Sequence, residues 1–122
     1  MDIIISNASD APIYEQIREQ IASQILNGEL GPGTSLPSIR LLAKDLKISV
    51  ITTKRAYTEL ERQGLIETVP GKGSFVASIN PGLIREKQLE LISENVDNIV
   101  TLCKQYDVSK DELLEILDIL WQ

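Results

Sequence analysis

Two amphipathic segments only three residues apart constrain this chain more than any other feature. In "SIRLLAKDL", residues 38–46, Ile39, Leu42, Ala43 and Leu46 recur at helical spacing behind Ser38, a residue suited to cap a helix. Lys47, Ile48 and Ser49 follow. Then "VITTKRAYTELERQG", residues 50–64, puts Thr53, Ala56, Tyr57 and Leu60 on one side, with Gly64 as a stop. A short helix, a tight turn and a longer helix form the outline of a helix-turn-helix, although the glycine common in such turns is absent.

The flanks complete a unit around that pair. Ile13, Ile17, Ile21 and Ile25 recur every fourth residue with Tyr14 and Leu26 beside them, predicting a helix that ends at Gly28. Pro12 suits its first turn, and Asp10 is the expected cap. "GPGTSLP", residues 31–37, reads as a turn leading into a short extended piece. "LIETVP" and "GSFVA" read as two short strands, joined by a tip that carries Lys72 between Gly71 and Gly73. Three helices and a β-hairpin make a winged helix-turn-helix.

From Asn80-Pro81-Gly82 onward helical spacing replaces strand-like runs. Leu89, Ile92, Val96, Ile99, Cys103 and Tyr106 step 3-4-3-4-3, a heptad seam. Ser109 and Glu112 form a capping box for a last helix over 109–121, which is apolar nearly all round at Leu113, Leu114, Ile116, Leu117, Ile119, Leu120 and Trp121. Two helices alone cannot cover that much apolar surface, so a partner chain is expected on Leu113, Leu117, Leu120, Trp121 and the seam. The fold class expected is α+β, mostly α. A winged helix-turn-helix domain spans 1–78, a linker 79–81 and a helical dimerisation segment 82–122. The capped last helix, closing on Trp121-Gln122, is read as the end of a short protein.

Composition removes most enzyme chemistry. With no histidine and one cysteine, the 122 residues hold no Ser-His-Asp or Cys-His nucleophile, no zinc set and no intrachain disulfide. Neither metal nor cofactor is implied, and Cys103 reads as a small residue of the seam. No apolar run approaches the roughly 20 residues that a bilayer needs, and "MDIIISNASD" lacks the basic start of a signal peptide. A cytoplasmic protein without membrane contact is expected. The net charge is -6, but it is unevenly placed. Residues 79–122 hold nine acids and four bases, whereas 38–76 hold seven bases and four acids, a local balance of +3.

That balance, with the small polar start of the third helix, points to nucleic acid. At about 100° per residue, Ile51, Arg55 and Thr58 face away from the inward set, with Thr52, Lys54 and Glu59 flanking them. Lys and Arg can pair with guanine O6 and N7, and a threonine methyl can meet a thymine methyl. Thr52, Lys54 and Arg55 are therefore expected to read bases, while Arg40 and Lys72 hold flanking backbone or enter the minor groove. Plainer roles exist for each. Ser49 is a helix cap, Lys54 and Arg55 are solvated charges on a generic helix, and Arg40 pairs with an acid. Ile51 has two readings of equal weight, a contact to thymine methyls and an incidental exposed isoleucine. The rival function is a winged-helix protein-interaction module without specific DNA binding.

Over residues 10–78 the chain resembles the GntR family of transcriptional regulators. The matching elements are "I…G.L.PG..LPS.R.LA..L.IS…T..AY..LE..GLIE" followed by "GKGSFV". The short two-helix tail resembles the YtrA-like subfamily. The resemblance implies a homodimer on a near-palindromic operator in double-stranded DNA, generally as a repressor. It also implies DNA contacts by the arginine of "PS.R", the start of the recognition helix and the wing glycine. Carried over, these are Arg40, Ser49, Val50, Ile51, Thr52, Lys54, and Gly73 with Lys72. The subfamily further implies dimerisation through the C-terminal helices and control of a transporter operon. Many members carry arginine directly after the recognition-helix serine. Here Val50 and then Ile51 stand there, so that guanine or phosphate contact is missing. The sequence names no small-molecule effector.

Overall fold

The computed structural model describes residues 1–122 and contains five helices and one two-stranded antiparallel sheet. The chain separates into two compact units, Met1–Ile84 and Arg85–Gln122.

In the first unit, α1 (Ile13–Leu26) buries Ile17, Ile21 and Ile25 as their spacing predicts, each worth about 1.5–3 kcal/mol relative to exposure. Its start differs from expectation. Asp10 does not cap it; Pro12 takes the N-cap position, without a side-chain cap, and its carbonyl accepts from the Glu15 and Gln16 amides at 3.0 and 3.1 Å. The neighbouring residues serve another purpose, because the segment before α1 doubles back along it. The Gln24 carboxamide donates to the Asp2 carbonyl at 2.8 Å. Gln20 accepts from the Ile4 amide at 2.8 Å and donates to the Ile4 carbonyl at 2.6 Å. Gln16 accepts from the Ser6 amide at 2.9 Å and donates to the Ser6 and Ala11 carbonyls at 3.0 and 2.9 Å. Three glutamines one helical turn apart thus hold every second residue of an extended arm, and the alternate residues Ile3 and Ile5 pack on the core.

The helix-turn-helix pairs α2 (Ile39–Leu46) with α3 (Val50–Arg62). Ser38 caps α2 by accepting from the Leu41 amide at 3.1 Å. The turn closes as a Schellman motif, with the Ile48 amide donating to the Ala43 carbonyl at 3.0 Å and the Lys47 amide to Lys44 at 3.2 Å. The missing glycine has a consequence: Lys47 itself takes the left-handed conformation at φ 57°, which costs a non-glycine residue roughly 1–2 kcal/mol. The C-terminus of α3 closes in the same way, with a residue suited to it: Gly64 at φ 76°, and the Leu65 amide on the Leu60 carbonyl at 3.0 Å.

Inward residues Thr53, Ala56, Tyr57 and Leu60 are buried, and α3 packs against α1, α2 and β1 (Ile66–Val69). The wing pairs β1 with β2 (Gly73–Val76) in the register Ile66↔Val76 to Val69↔Gly73. Residues 33–36 add a third edge to β2 through the bridge Ser35↔Phe75 and a bond from the Leu36 amide to the Ser74 carbonyl at 2.9 Å.

In the second unit, α4 (Pro81–Gln105), which begins before the division, leads to α5 (Lys110–Leu120). The turn between them has Asp107 at φ 55°, and the Val108 amide donates to the Cys103 carbonyl at 2.8 Å. Asp tolerates this conformation better than most residues. The capping box forms: Ser109 Oγ accepts from the Glu112 amide at 3.1 Å, and Glu112 Oε1 from the Ser109 amide at 3.3 Å. Tyr106 falls just past α4, and Trp121 is the C-cap of α5 rather than a helical residue. Neither helix has a buried residue. Leu89, Ile92, Val96, Ile99, Tyr106, Leu117, Leu120 and Trp121 are exposed, whereas Cys103 and Leu113 are half-buried. No helix is long and apolar enough to cross a membrane.

Candidate nucleic-acid interface

Ser49 starts α3 and organises its first turn. Its Oγ accepts from the Thr52 amide at 3.0 Å and lies 2.8 Å from the Thr52 hydroxyl, while its carbonyl accepts from Thr53 Oγ1 at 3.1 Å. The Thr53 contact keeps a buried hydroxyl satisfied. The capping role of Ser49 is therefore real, and it ties Thr52 into the same turn. Val50 and Ile51 project from this end, Ile51 at 81% exposure. That is far more than core packing would leave. Lys54 and Arg55 are exposed on the next turn.

The helix is fixed from behind. Tyr57 is 3% exposed, and its hydroxyl donates to the Pro37 carbonyl at 2.7 Å. This pins α3 to the segment that leads into α2. Burial pushes the tyrosine pKa up to about 12. On the other side α1 and α3 run in the same sense, since Tyr14 meets Arg55 and Arg18 Nη1 meets Gln63 at 3.2 Å. The start of α1 therefore lies alongside the second turn of α3, an arrangement the isoleucine stripe alone does not reveal.

Charge compensation is uneven. Among the seven bases of 38–76 only Arg62 forms an ion pair, with Glu59. Arg40, Lys44, Lys47, Lys54, Arg55 and Lys72 have none, so Arg40 does not take the plainer role of pairing with an acid. Arg40 is exposed in the first turn of α2. Lys72 closes the wing turn, its amide donating to the Val69 carbonyl at 2.9 Å, with Gly71 at φ 78° and Gly73 at φ 113°. Sequence reasoning placed Arg55 among the free cations of α3, yet its guanidinium lies over the Tyr14 ring, 3.8 Å from the centroid. Tyr14 was absent from the expected site because it reads as a flank of the α1 apolar stripe. No group of acidic and sulfur ligands able to hold a metal is present.

A capped helix presenting small polar and apolar side chains, set in a helix-turn-helix beside a β-hairpin wing, defines a winged helix-turn-helix DNA-binding protein. The profile of the bacterial regulatory proteins of the gntR family matches residues 13–76, and the chain belongs to that family. It is 34% identical over 113 residues to the HTH-type transcriptional repressor YtrA of Bacillus subtilis, covering 93% of this chain and 87% of that protein. A GntR family transcriptional regulator from Listeria monocytogenes superposes with a TM-score of 0.80 at 26% identity, over 95% of this chain and 99% of that one. The DNA-binding domain of AraR, solved in complex with operator ORX1, matches with a TM-score of 0.56 at 30% identity, over 63% of this chain and 96% of its own. The chain is thus a YtrA-like DNA-binding transcriptional regulator and not an enzyme. Regulators of this family bind operator DNA.

Proposed function

We propose that the protein is a homodimeric, cytoplasmic repressor that binds a near-palindromic operator and controls its own operon or a transporter operon. The observation that carries the reading is the start of α3, exposed and flanked by cations that no acid neutralises. Ser49, Val50, Ile51 and Thr52 meet the major groove, with Lys54 and Arg55 on the next turn. Thr52, Lys54 and Arg55 read bases; Arg40, Lys72 and the close-approaching Gly73 backbone hold the flanks. Residues 1–78 bind DNA, 79–81 connect, and 82–122 dimerise. Supporting the dimer, α4 and α5 expose a long apolar surface, including Trp121 at 84%, which a second copy would remove from water. A two-fold dimer places its half-sites about one helical turn, roughly 34 Å, apart. Repression is supported by the name of the B. subtilis relative.

Fluorescence anisotropy at fixed salt tests the site. Lys54→Ala and Arg40→Ala are expected to weaken operator binding while sedimentation still gives a dimer. Wild-type affinity in both variants overturns the assignment. Deleting residues 80–122 is expected to yield a monomer with poor operator affinity, and a truncated protein that remains a tight dimer refutes the role given to the tail.

A further inference from the structure

We propose that Tyr14 is a positioning residue for operator binding, holding Arg55 ready for DNA; this rests on the reading of Arg55 as a DNA contact. The Arg55 guanidinium lies over the Tyr14 ring at 3.8 Å from the centroid, a distance at which the ring face attracts the cation. Stacking covers a face of the guanidinium plane. Its five N–H donors lie in that plane and stay available to phosphate or to guanine O6 and N7. A free arginine side chain loses rotamer freedom when it docks, and one already held by a ring loses less.

The surroundings favour the stack over an ion pair. Glu59, one turn along α3 from Arg55, is taken by Arg62. Glu15, next to Tyr14 in α1, is taken by Arg18. The acid one turn along from Arg55 and the acid beside its ring partner are thus engaged by other arginines, and Arg55 keeps its charge uncompensated. Lys54, its neighbour, has no ring partner, so the device belongs to one cation of the helix. Because α1 and α3 run in the same sense, α1 contributes to recognition without supplying a contact itself.

The test is a double-mutant cycle on the full-length protein, reading operator affinity by anisotropy at fixed salt and thermal melts by circular dichroism. Tyr14→Leu is expected to weaken binding about two- to tenfold, the range set by the cost of ordering one rotamer-rich side chain on docking. The ring-preserving Tyr14→Phe restores wild-type affinity. In an Arg55→Ala background Tyr14→Leu has no further effect, whereas in a Lys54→Ala background its loss persists in full. A merely structural role for Tyr14 would give the same loss in both backgrounds, and that result overturns the proposal. So does wild-type or tighter binding by Tyr14→Leu while Arg55→Ala weakens it, although Arg55 then remains a DNA contact. Unchanged binding by Arg55→Ala removes the contact itself and the proposal with it. If Tyr14→Leu melts below the assay temperature, Tyr14→Met replaces it in the same cycle with the same criteria.

Discussion

Tyr57→Phe isolates the bond that pins α3 and makes a prediction with two opposed parts. At neutral pH the variant loses one hydrogen bond, 2.7 Å from the phenol to the Pro37 carbonyl, worth about 1 kcal/mol net. The ring still fills its place, so no cavity term is added. Alkaline pH reverses the comparison. The folded-state pKa of Tyr57 is raised to about 12 from an ordinary 10.0, so the unfolded chain releases this proton first. The native state's advantage from the neutral phenol is complete below pH 10 and is lost as pH climbs toward 12. At pH 11 the loss is about 1.4 kcal/mol, and over the full interval about 2.7 kcal/mol. The phenylalanine variant has no such proton. Wild type should therefore be more stable than Tyr57→Phe by about 1 kcal/mol at pH 8, and the gap should close near pH 11 and then invert. Urea denaturation followed at 222 nm, run on both proteins at half-unit pH steps, measures the difference while the other titrating groups cancel. A gap that stays constant from pH 8 to 11.5 would refute the reasoning.

Gly73→Ala is expected to destabilise the wing: at φ 113° the residue needs glycine's freedom, and although no atom crowds the added carbon, the backbone cost is of order 1–3 kcal/mol. Calorimetry should show a Tm drop of at least about 4 °C. Ile51→Ala should leave the Tm unchanged and lower affinity a few-fold only on operators with thymine at one position; replacing that thymine by uracil, which lacks the methyl, should abolish the difference. Gln16→Leu should speed amide hydrogen exchange at Ser6, whose N–H donates to Gln16, while the Tyr57 amide exchanges as before.

The helix-turn-helix was legible in the sequence because its signals are local. Ser38, Ser49 and Ser109 cap the helices predicted to follow them, and Gly64 closes α3. The inward set of α3 follows from spacing alone. What stayed hidden depends on partners distant in the chain. Gln16, Gln20 and Gln24 recur as regularly as the isoleucines beside them, but evenly spaced polar residues read as a solvated face until the arm that they grip is known. The Tyr14–Arg55 stack joins residues 41 positions apart, and neither side chain announces the other. Asp10 as a cap was a local inference that failed because Pro12, with ψ 152°, already turns the chain into the helix. Lys47 in the glycine position shows the reverse case: the fold imposes the turn on a residue that would not choose it.

The glutamine-held arm also separates what folds from what the family profile matches. The family match opens at residue 13, yet the polypeptide that must fold together begins some ten residues earlier. A fragment trimmed to the match would strip Ile3 and Ile5 from the core. It would also leave Gln16, 8% exposed, with a buried carboxamide and none of its three arm partners, a penalty of about 1–3 kcal/mol from that group alone. For this domain the border of the family profile lies inside the border drawn by cooperativity.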